Sequence, residues 1–234
     1  MTIEDGATVR NNGTGSSMIE TGFQNSGQYQ DYQDEHSPKT VINGGTFIGG
    51  LCNIKVDDCG EVIINDGTFT ALALSAATLY NWNKLTVNGG TFNSATSILW
   101  NGYCDATDDI GVATTNGGTF TCTNIIIRSG GDAYLGKGLV SIYGGYFTET
   151  GIINDDTYTG VEISGGYFTS DPSTYVVDGM TVSASSVEGY DYTVGYTVTF
   201  NSNDGSAVDT QTVVPGDKVT APTDPTLTGY TFKG

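Results

Sequence analysis

The stretch Val41-Ile42-Asn43-Gly44-Gly45-Thr46-Phe47 is the strongest structural signal in this chain, because close copies of it recur five more times. Each copy has a short, mostly β-branched run, a polar residue, a glycine pair (Asp66-Gly67 in the second copy) and then Thr-Phe or Tyr-Phe. The copies end at Phe47, Phe69, Phe92, Phe120, Phe147 and Phe168, with spacings of 22, 23, 28, 27 and 21 residues. Six copies of one seven-residue pattern identify a repeat protein.

The chemistry of the repeat predicts an all-β fold, a single-stranded parallel β-helix. Glycine pairs supply corners that other residues resist. The intervening stretches, such as Asn124-Ile125-Ile126-Ile127, have strand-like patterns, and no stretch has a helical period. About 22 residues suit one coil, whereas a propeller blade needs roughly 40 residues and leucine-rich repeats need a leucine lattice. The general crossover rule favours right-handed coiling.

Stacked coils place equivalent residues about 4.8 Å apart, so each repeat position becomes a ladder of side chains. We expect the phenylalanines to form one buried ladder. Two further inward columns are expected five and seven residues before each phenylalanine: Ile42, Ile64, Val87, Thr115, Ile142 and Ile163, and Thr40, Val62, Leu85, Ala113, Val140 and Val161. Asparagine side chains are expected to bond from coil to coil at one corner, through Asn43, Asn65, Asn88 and Asn116.

The residues on either side of each phenylalanine are expected to face outward. They are Thr46, Thr68, Thr91, Thr119, Tyr146 and Tyr167 before it, and Ile48, Thr70, Asn93, Thr121, Thr148 and Thr169 after it. Two threonine ranks would suit an ice-binding face, which we keep as a minor alternative because Ile48, Asn93 and the two tyrosines interrupt them. Threonine is also simply a good exposed strand residue.

Composition excludes several classes of protein. Eight Lys and Arg residues against 26 Asp and Glu give a net charge of −18, which argues against a nucleic-acid partner. No apolar run is long enough for a transmembrane segment. With 34 glycines but 37% hydrophobic and only 15% charged residues, the composition is not that of a disordered chain.

Three regions follow from where the repeat holds and where it stops. Residues 1–178 are predicted to be the β-helix, with a degenerate first coil around residues 3–9, and residues 179–195 to be capping strands or a linker. Residues 196–234 lack the repeat pattern and are treated as a separate region. The chain opens without a signal peptide and stops directly after a strand-like run, so we expect a fragment of a longer protein.

The last region contains a series of strand and turn motifs: Val198-Thr199-Phe200, the turn Asn203-Asp204-Gly205, Pro215-Gly216, Pro222, Asp224-Pro225 and Gly229-Tyr230-Thr231-Phe232. In these features it resembles the Listeria–Bacteroides repeat family (internalin B-repeat type). The family's closing strand usually continues into a tryptophan, which this stretch lacks. The resemblance implies an incomplete, small β-grasp-like module of a multi-domain, Gram-positive bacterial protein, at the cell surface or secreted. The Gly-Gly-Thr/Tyr-Phe coils also look like the β-helical regions of such proteins.

Two groups of aromatic residues are candidate ligand-binding residues, because exposed rings stack on sugars. One group lies near the end of the repeats and the other in or beside mid-chain loops: Tyr143, Tyr146 and Tyr167, and Trp82, Trp100 and Tyr103. The predicted function is a non-catalytic extracellular adhesion or display module, with a glycan or a host surface receptor as partner. The alternative for the same residues is a rigid spacer whose aromatics only fill loops and coil ends.

Three acidic pairs recur at nearly the same position before the next phenylalanine: Asp57 and Asp58, Asp108 and Asp109, and Asp155 and Asp156. They belong to alternate coils, roughly 9–10 Å apart, too far for two pairs to share one calcium ion. Solvated turns, weak calcium sites and catalysis by a carbohydrate-active β-helix enzyme (a polysaccharide lyase or glycosidase) stay open. No catalytic residue and no cofactor other than calcium is predicted, since nothing assembles around the one histidine, His36.

The four cysteines are Cys52, Cys59, Cys104 and Cys122. An even number permits three disulfide pairings, and Cys52 with Cys59, which flank one turn, is the pairing expected first. Buried, unbridged thiols are the alternative. No Cys-x-x-Cys motif is present, which disfavours a zinc site.

Overall fold

The computed structural model describes residues 1–22, 37–72, 77–102, 111–129, 138–154 and 159–233, and it confirms an all-β fold of stacked parallel strands. Each coil contributes one strand to each of three parallel sheets, which we call sheets A, B and C. Among the described residues, six coils have all three strands and a seventh has two. The predicted degenerate coil is present as the first of them, paired in register with the second.

Within each sheet, neighbouring strands come from successive coils. Sheet A contains β1 (Thr2–Ile3), β4 (Lys39–Ile42), β7 (Glu61–Ile64), β10 (Lys84–Val87), β13 (Val112–Thr115), β16 (Gly138–Ile142) and β19 (Thr159–Ile163). Sheet B begins with β2 (Thr8–Asn11), β5 (Thr46–Gly49), β8 (Thr68–Thr70), β11 (Thr91–Ser94), β14 (Thr119–Cys122), β17 (Tyr146–Thr148) and β20 (Gly166–Phe168). Sheet C contains β18 (Gly151–Ile153), β15 (Ile125–Ser129), β12 (Ser97–Asn101), β9 (Ala77–Asn81), β6 (Ile54–Val56) and β3 (Ile19–Thr21).

The glycine pair makes the corner between sheets A and B. Its second member needs a positive φ, as at Gly90 (φ +104°), and a Cβ there would lie 2.9 Å from the carbonyl oxygen of Gly67 in the coil before. The first member needs space instead, because a Cβ on Gly89 would lie 2.7 Å from the Asn65 carbonyl oxygen. Asp66 occupies this first position in one coil, so a side chain is tolerated there once.

The core is the predicted phenylalanine ladder. All six rings are buried, neighbouring ring centroids are 4.7–4.9 Å apart, and the rings are within 8° of parallel. The two flanking columns also face inward, with only Val161 half-buried. The asparagine ladder is confirmed at the exposed corner: each Nδ2 of Asn65, Asn88 and Asn116 donates to the Oδ1 of the preceding coil's asparagine at 2.8 Å.

Antiparallel strands cover the last edge of sheet B. Strand β22 (Tyr192–Val198) pairs with β20 on one side and with β21 (Thr181–Ala184) on the other, and β23 (Gln211–Val213) pairs with the end of β22. A 3-10 turn at Ser173–Tyr175 leads to Val176, which forms a bridge with Ile163 of sheet A. These pairings satisfy backbone groups that an open edge would expose. The right-handed coiling, the domain boundaries and the β-grasp-like module remain predictions.

Candidate functional site

The outward face of sheet B carries a straight column of hydroxyl-bearing side chains. Strand pairing places them in register, so neighbours are about 4.8 Å apart. We call this set the hydroxyl column; it runs Thr46, Thr68, Thr91, Thr119, Tyr146, Tyr167, Thr193 and Ser183. A second column lies two residues further along each strand: Ile48, Thr70, Asn93, Thr121 and Thr148.

Neither column contains a charged side chain from the second coil to the seventh, although the chain has 26 acidic residues. The other two sheets do carry charges outward. On sheet A the Lys39 ammonium lies 2.9 Å from the Glu61 carboxylate, and sheet C carries Lys55 and Arg128. The hydroxyl column therefore forms a neutral strip on an otherwise strongly acidic protein.

The hydroxyl column changes from threonine to tyrosine between Thr119 and Tyr146. The Tyr146 and Tyr167 rings are stacked, with centroids 4.9 Å apart and planes 11° from parallel, and Tyr190 lies tilted against both at 5.5 and 6.3 Å. The other face of the Tyr146 ring points toward the coil of Thr119, whose side chain is too short to cover an aromatic ring. Tyr146 is 39% exposed, so part of this ring is accessible where the column changes from threonine to tyrosine. We call this change, between Thr119 and Tyr146, the tyrosine step.

Tyr143 and the Tyr167 hydroxyl have different surroundings. Tyr143 lies at the corner after β16 and is 46% exposed, outside the hydroxyl column. The Tyr167 hydroxyl donates a hydrogen bond of 2.7 Å to Oδ2 of Asp217. Burial, this hydrogen bond and the Asp217 charge all raise the pKa of Tyr167, so its hydroxyl stays protonated at physiological pH. The sequence pattern did not predict Asp217 or Tyr190 as neighbours of this pair.

The mid-chain aromatics are less accessible than predicted. Trp82 is buried and packs against Tyr80, while Trp100 is half-buried and meets both rings edge-on at 4.9 and 5.4 Å. The Arg128 guanidinium covers the Trp100 ring at 4.4 Å from its centroid. Their expected exposure is therefore wrong for Trp82, which lies just after β9, because Tyr80 of β9 and Trp100 of β12 cover its ring. Tyr103 lies outside the described residues.

The acidic pair Asp57 and Asp58 is fully buried, which corrects the expectation of solvated turn carboxylates. Oδ2 of Asp57 lies 2.6 Å from the Lys55 ammonium, and Glu20 lies 3.3 Å from the same ammonium. Burial opposes the charge on Lys55, but the hydrogen bond and charge of Asp57, with Glu20, outweigh burial and raise the pKa of Lys55. The hydrogen bond with Asp57, assisted by burial, raises the pKa of Glu20.

The other members of the predicted acidic set, Asp108, Asp109, Asp155 and Asp156, lie outside the described residues, as does His36. Among the residues that the structure describes, no group of three or more His, Cys, Asp or Glu side chains is arranged to hold a metal ion. The calcium sites therefore stay a prediction for the pairs that are not described.

The structure does not contain the Cys52–Cys59 disulfide. The Cys52 thiol hydrogen-bonds the Ser17 hydroxyl at 3.3 Å, and burial raises its pKa to about 11. The extended strand β6 lies between the two cysteines, and its three residues at about 3.3 Å each separate them beyond the roughly 7 Å that a disulfide spans. Cys122 is a buried free thiol, with its pKa raised by burial to about 11, and Cys104 lies outside the described residues.

A buried carboxyl group at Glu149 was not predicted. Its Oε1 accepts hydrogen bonds from the backbone and the hydroxyl of Ser170, at 2.9 and 2.8 Å, while Oε2 is buried without a hydrogen-bond partner. Burial raises the pKa of Glu149, although the hydrogen bonds from Ser170 and Thr169 oppose this. Its position two residues after Phe147 is an inward one, and the matching position in other coils holds the small residues Gly49, Ala71 and Cys122, so this column was the sequence signal that could have predicted burial.

Comparison with known proteins adds information for the C-terminal region. Residues 196–234 match the model of the Listeria–Bacteroides repeat domain, as the sequence resemblance indicated. No curated protein and no solved structure matches the chain. In the described part of the chain, no helix has the length and apolar character of a membrane span.

Proposed function

We propose that this chain is a non-catalytic, extracellular adhesion and display module that binds a neutral carbohydrate polymer along the hydroxyl column. The observation that carries the proposal is the uncharged hydroxyl column, which changes from threonine to tyrosine at Tyr146, on a protein of net charge −18. The matched Listeria–Bacteroides repeat supports the location, because it is usually found in surface or secreted proteins.

The ligand class follows from charge and spacing. A strongly acidic protein repels acidic polymers, so a neutral glycan is the polymer that approaches without a Coulomb penalty. Threonine hydroxyls recur at about 4.8 Å along the column, so they offer a regular row of equivalent hydrogen-bonding groups to a polymer of repeating sugar rings. Each ring can thus meet an equivalent hydroxyl, as donor or acceptor.

The tyrosine step supplies the aromatic contact that sugar recognition commonly uses. A sugar above Thr119 would bring its C–H groups against the accessible part of the Tyr146 ring, while Tyr167 supports the other face of that ring at 4.9 Å. Rigidity helps as well, because the stacked phenylalanines and the asparagine ladder order the face before a ligand arrives. Less conformational entropy is then lost on binding.

The test measures binding to immobilised cellulose, chitin, mannan and starch, with polygalacturonate as the acidic comparison. We expect binding to at least one neutral polymer and none to polygalacturonate. Replacing Thr91 and Thr119 together by Val should weaken binding about tenfold or more, since two hydroxyl hydrogen bonds are lost. The matched control replaces Thr86 and Thr114 by Val, on sheet A of the same two coils.

Tyr146→Ala should also weaken binding about tenfold, through loss of the stacking contact. Equal losses in the sheet B and sheet A double variants would contradict the proposal, because position would then not matter. No binding to any of the four neutral polymers would leave the rigid spacer as the function.

The same protein preparation also tests the two alternative functions, a carbohydrate-active enzyme and an ice-binding protein. Release of sugar products from polygalacturonate would support the carbohydrate-active enzyme; we expect none. Thermal hysteresis at high protein concentration would support ice binding; again we expect none, because Asn93 and the tyrosines interrupt the threonine columns.

A further inference from the structure

The hydroxyl column ends in a groove that the sequence did not predict. The groove has a volume of about 590 Å³, within the roughly 300–1,000 Å³ range of small-molecule sites. Its floor includes the last three members of the column, Tyr167, Thr193 and Ser183. Its wall is formed by β23 and by Asp217 and Lys218 of the matched repeat region.

The groove depends on close approach between β22 and the segment after it. A Cβ at Gly195 would overlap the Val213 carbonyl oxygen, so glycine is required for β23 to come this near. On the neighbouring coil corner, a Cβ at Gly165 would lie 2.5 Å from Cδ of Pro215, the residue that begins the turn carrying Asp217. Backbone packing thus holds the wall against the end of the column, and Tyr167 bonds to it through Asp217.

The chemistry of the lining is polar but balanced in charge. Hydroxyl groups predominate, and the adjacent Asp217 and Lys218 have opposite charges. Asp217 uses Oδ2 to accept the Tyr167 hydrogen bond, which orients the carboxylate and leaves Oδ1 to accept from a ligand. A carboxylate that accepts from sugar hydroxyls, beside threonine and serine hydroxyls, suits an uncharged polyol rather than an anion.

We infer that this groove binds the terminal sugar of a neutral carbohydrate chain whose following sugars lie along the hydroxyl column. The inference rests on the proposed function, because the column leads the chain into the groove. It adds a site that the column alone lacks: a partly open groove that recognises one sugar residue through Asp217 and through Thr193, which lines the groove although it is mostly buried. The groove should therefore bind free monosaccharides weakly, without any polymer.

The experiment titrates isotope-labelled protein with glucose, galactose, mannose or N-acetylglucosamine at millimolar concentrations and follows backbone amide shifts by NMR. We expect at least one sugar to shift the amides of Thr193 and Asp217. Asp217→Asn, which still accepts from Tyr167, and Thr193→Val, which keeps its shape, should each weaken that sugar about tenfold. The matched control is Asp224→Asn, an exposed carboxylate of the same region outside this groove.

The outcomes separate this inference from the proposed function. Tyr146→Ala should weaken polymer binding about tenfold and keep monosaccharide binding in the groove. If wild type binds no polymer but binds a monosaccharide that Asp217→Asn weakens, the proposed function fails and the groove site stands. If none of the four sugars shifts groove amides, or both groove variants bind as wild type does, the groove inference is overturned.

Discussion

Truncating the central ring of the phenylalanine ladder, Phe92→Ala, tests the feature on which the fold depends most. Phe92 is fully buried and is stacked between Phe69 at 4.8 Å and Phe120 at 4.9 Å. The change removes a buried ring and two ring contacts at once. It also leaves a cavity that stiff neighbouring coils cannot easily close, since each is held by three parallel strand pairings.

The magnitude follows from these contacts. Burying a phenylalanine side chain contributes about 1.5–3 kcal/mol, and each aromatic pair adds about 0.5–1.5 kcal/mol. We therefore expect Phe92→Ala to lower the free energy of unfolding by about 3–5 kcal/mol, the range found for such truncations in well-packed cores. Phe92→Leu keeps most of the apolar contact but neither ring pair, and should cost about 1–2 kcal/mol.

Urea unfolding followed by circular dichroism and by tryptophan fluorescence measures both variants. The fluorescence reports on Trp100, which lies in the coil of Phe92, and on Trp82, which lies at the end of the coil before it. Because each coil contacts mainly its neighbours, a weakened central coil should also uncouple the two halves and reduce the slope of unfolding against urea. Thr91→Ala, next to Phe92 but exposed, is the control and should change stability little.

A loss below about 1 kcal/mol with an unchanged urea slope would refute the reasoning, because it would mean that the ladder carries little of the stability. No loss in Phe92→Leu would refute the part assigned to ring stacking, because that variant keeps most of the apolar contact but loses both ring pairs. A comparable loss in Thr91→Ala would show that the strand, rather than the ring, is what the substitutions disturb.

Three further predictions concern the corner and the buried carboxyl group. Asn88→Ala removes two ladder hydrogen bonds of 2.8 Å and should lower the free energy of unfolding by about 1–2 kcal/mol in urea titrations, whereas no loss would mean that water replaces the ladder. Gly90→Ala, at φ +104°, should cost on the order of 1–3 kcal/mol and clearly more than Gly89→Asp, since Asp66 occupies the matching position in another coil. Burial raises the pKa of Glu149 above its unfolded value, so the folded state favours the protonated carboxyl and loses stability as pH rises through that pKa. Glu149→Gln should therefore raise the melting temperature at pH 7 and change it less near pH 3; the reverse order would contradict the assigned direction.

Much of the β-helix followed from sequence because its contacts repeat. Phe92 meets Phe120 just as Phe47 meets Phe69, so one recurring residue type at one recurring position predicts every rung. The asparagine ladder followed for the same reason. The neutral face was visible as two columns in the sequence, but its meaning depended on seeing that the other two sheets carry charges, while sheet B carries Arg10 only in the first coil, before the two columns begin.

The failures occurred where residues meet outside the repeat. Asp57 looked like a turn carboxylate because its distance from the next phenylalanine places it near a corner and carries no information on burial, although Lys55, two residues earlier, can reach it on the same face. Trp82 looked exposed because the rings that cover it come from other positions, Tyr80 and Trp100. Cys52 and Cys59 are near in sequence, but an extended strand separates them in space.

Residue order alone established the coil period, the buried phenylalanines and the corner glycines, since parallel in-register stacking turns a linear period directly into neighbours. It also indicated the Listeria–Bacteroides repeat that the family model matches at residues 196–234. Tertiary structure decided where the column of hydroxyls ends: Tyr167, Thr193 and Asp217 meet because β22 turns antiparallel to the coils and carries the last segment back over them. No period relates these three positions, so their contacts depend on how the two regions pack.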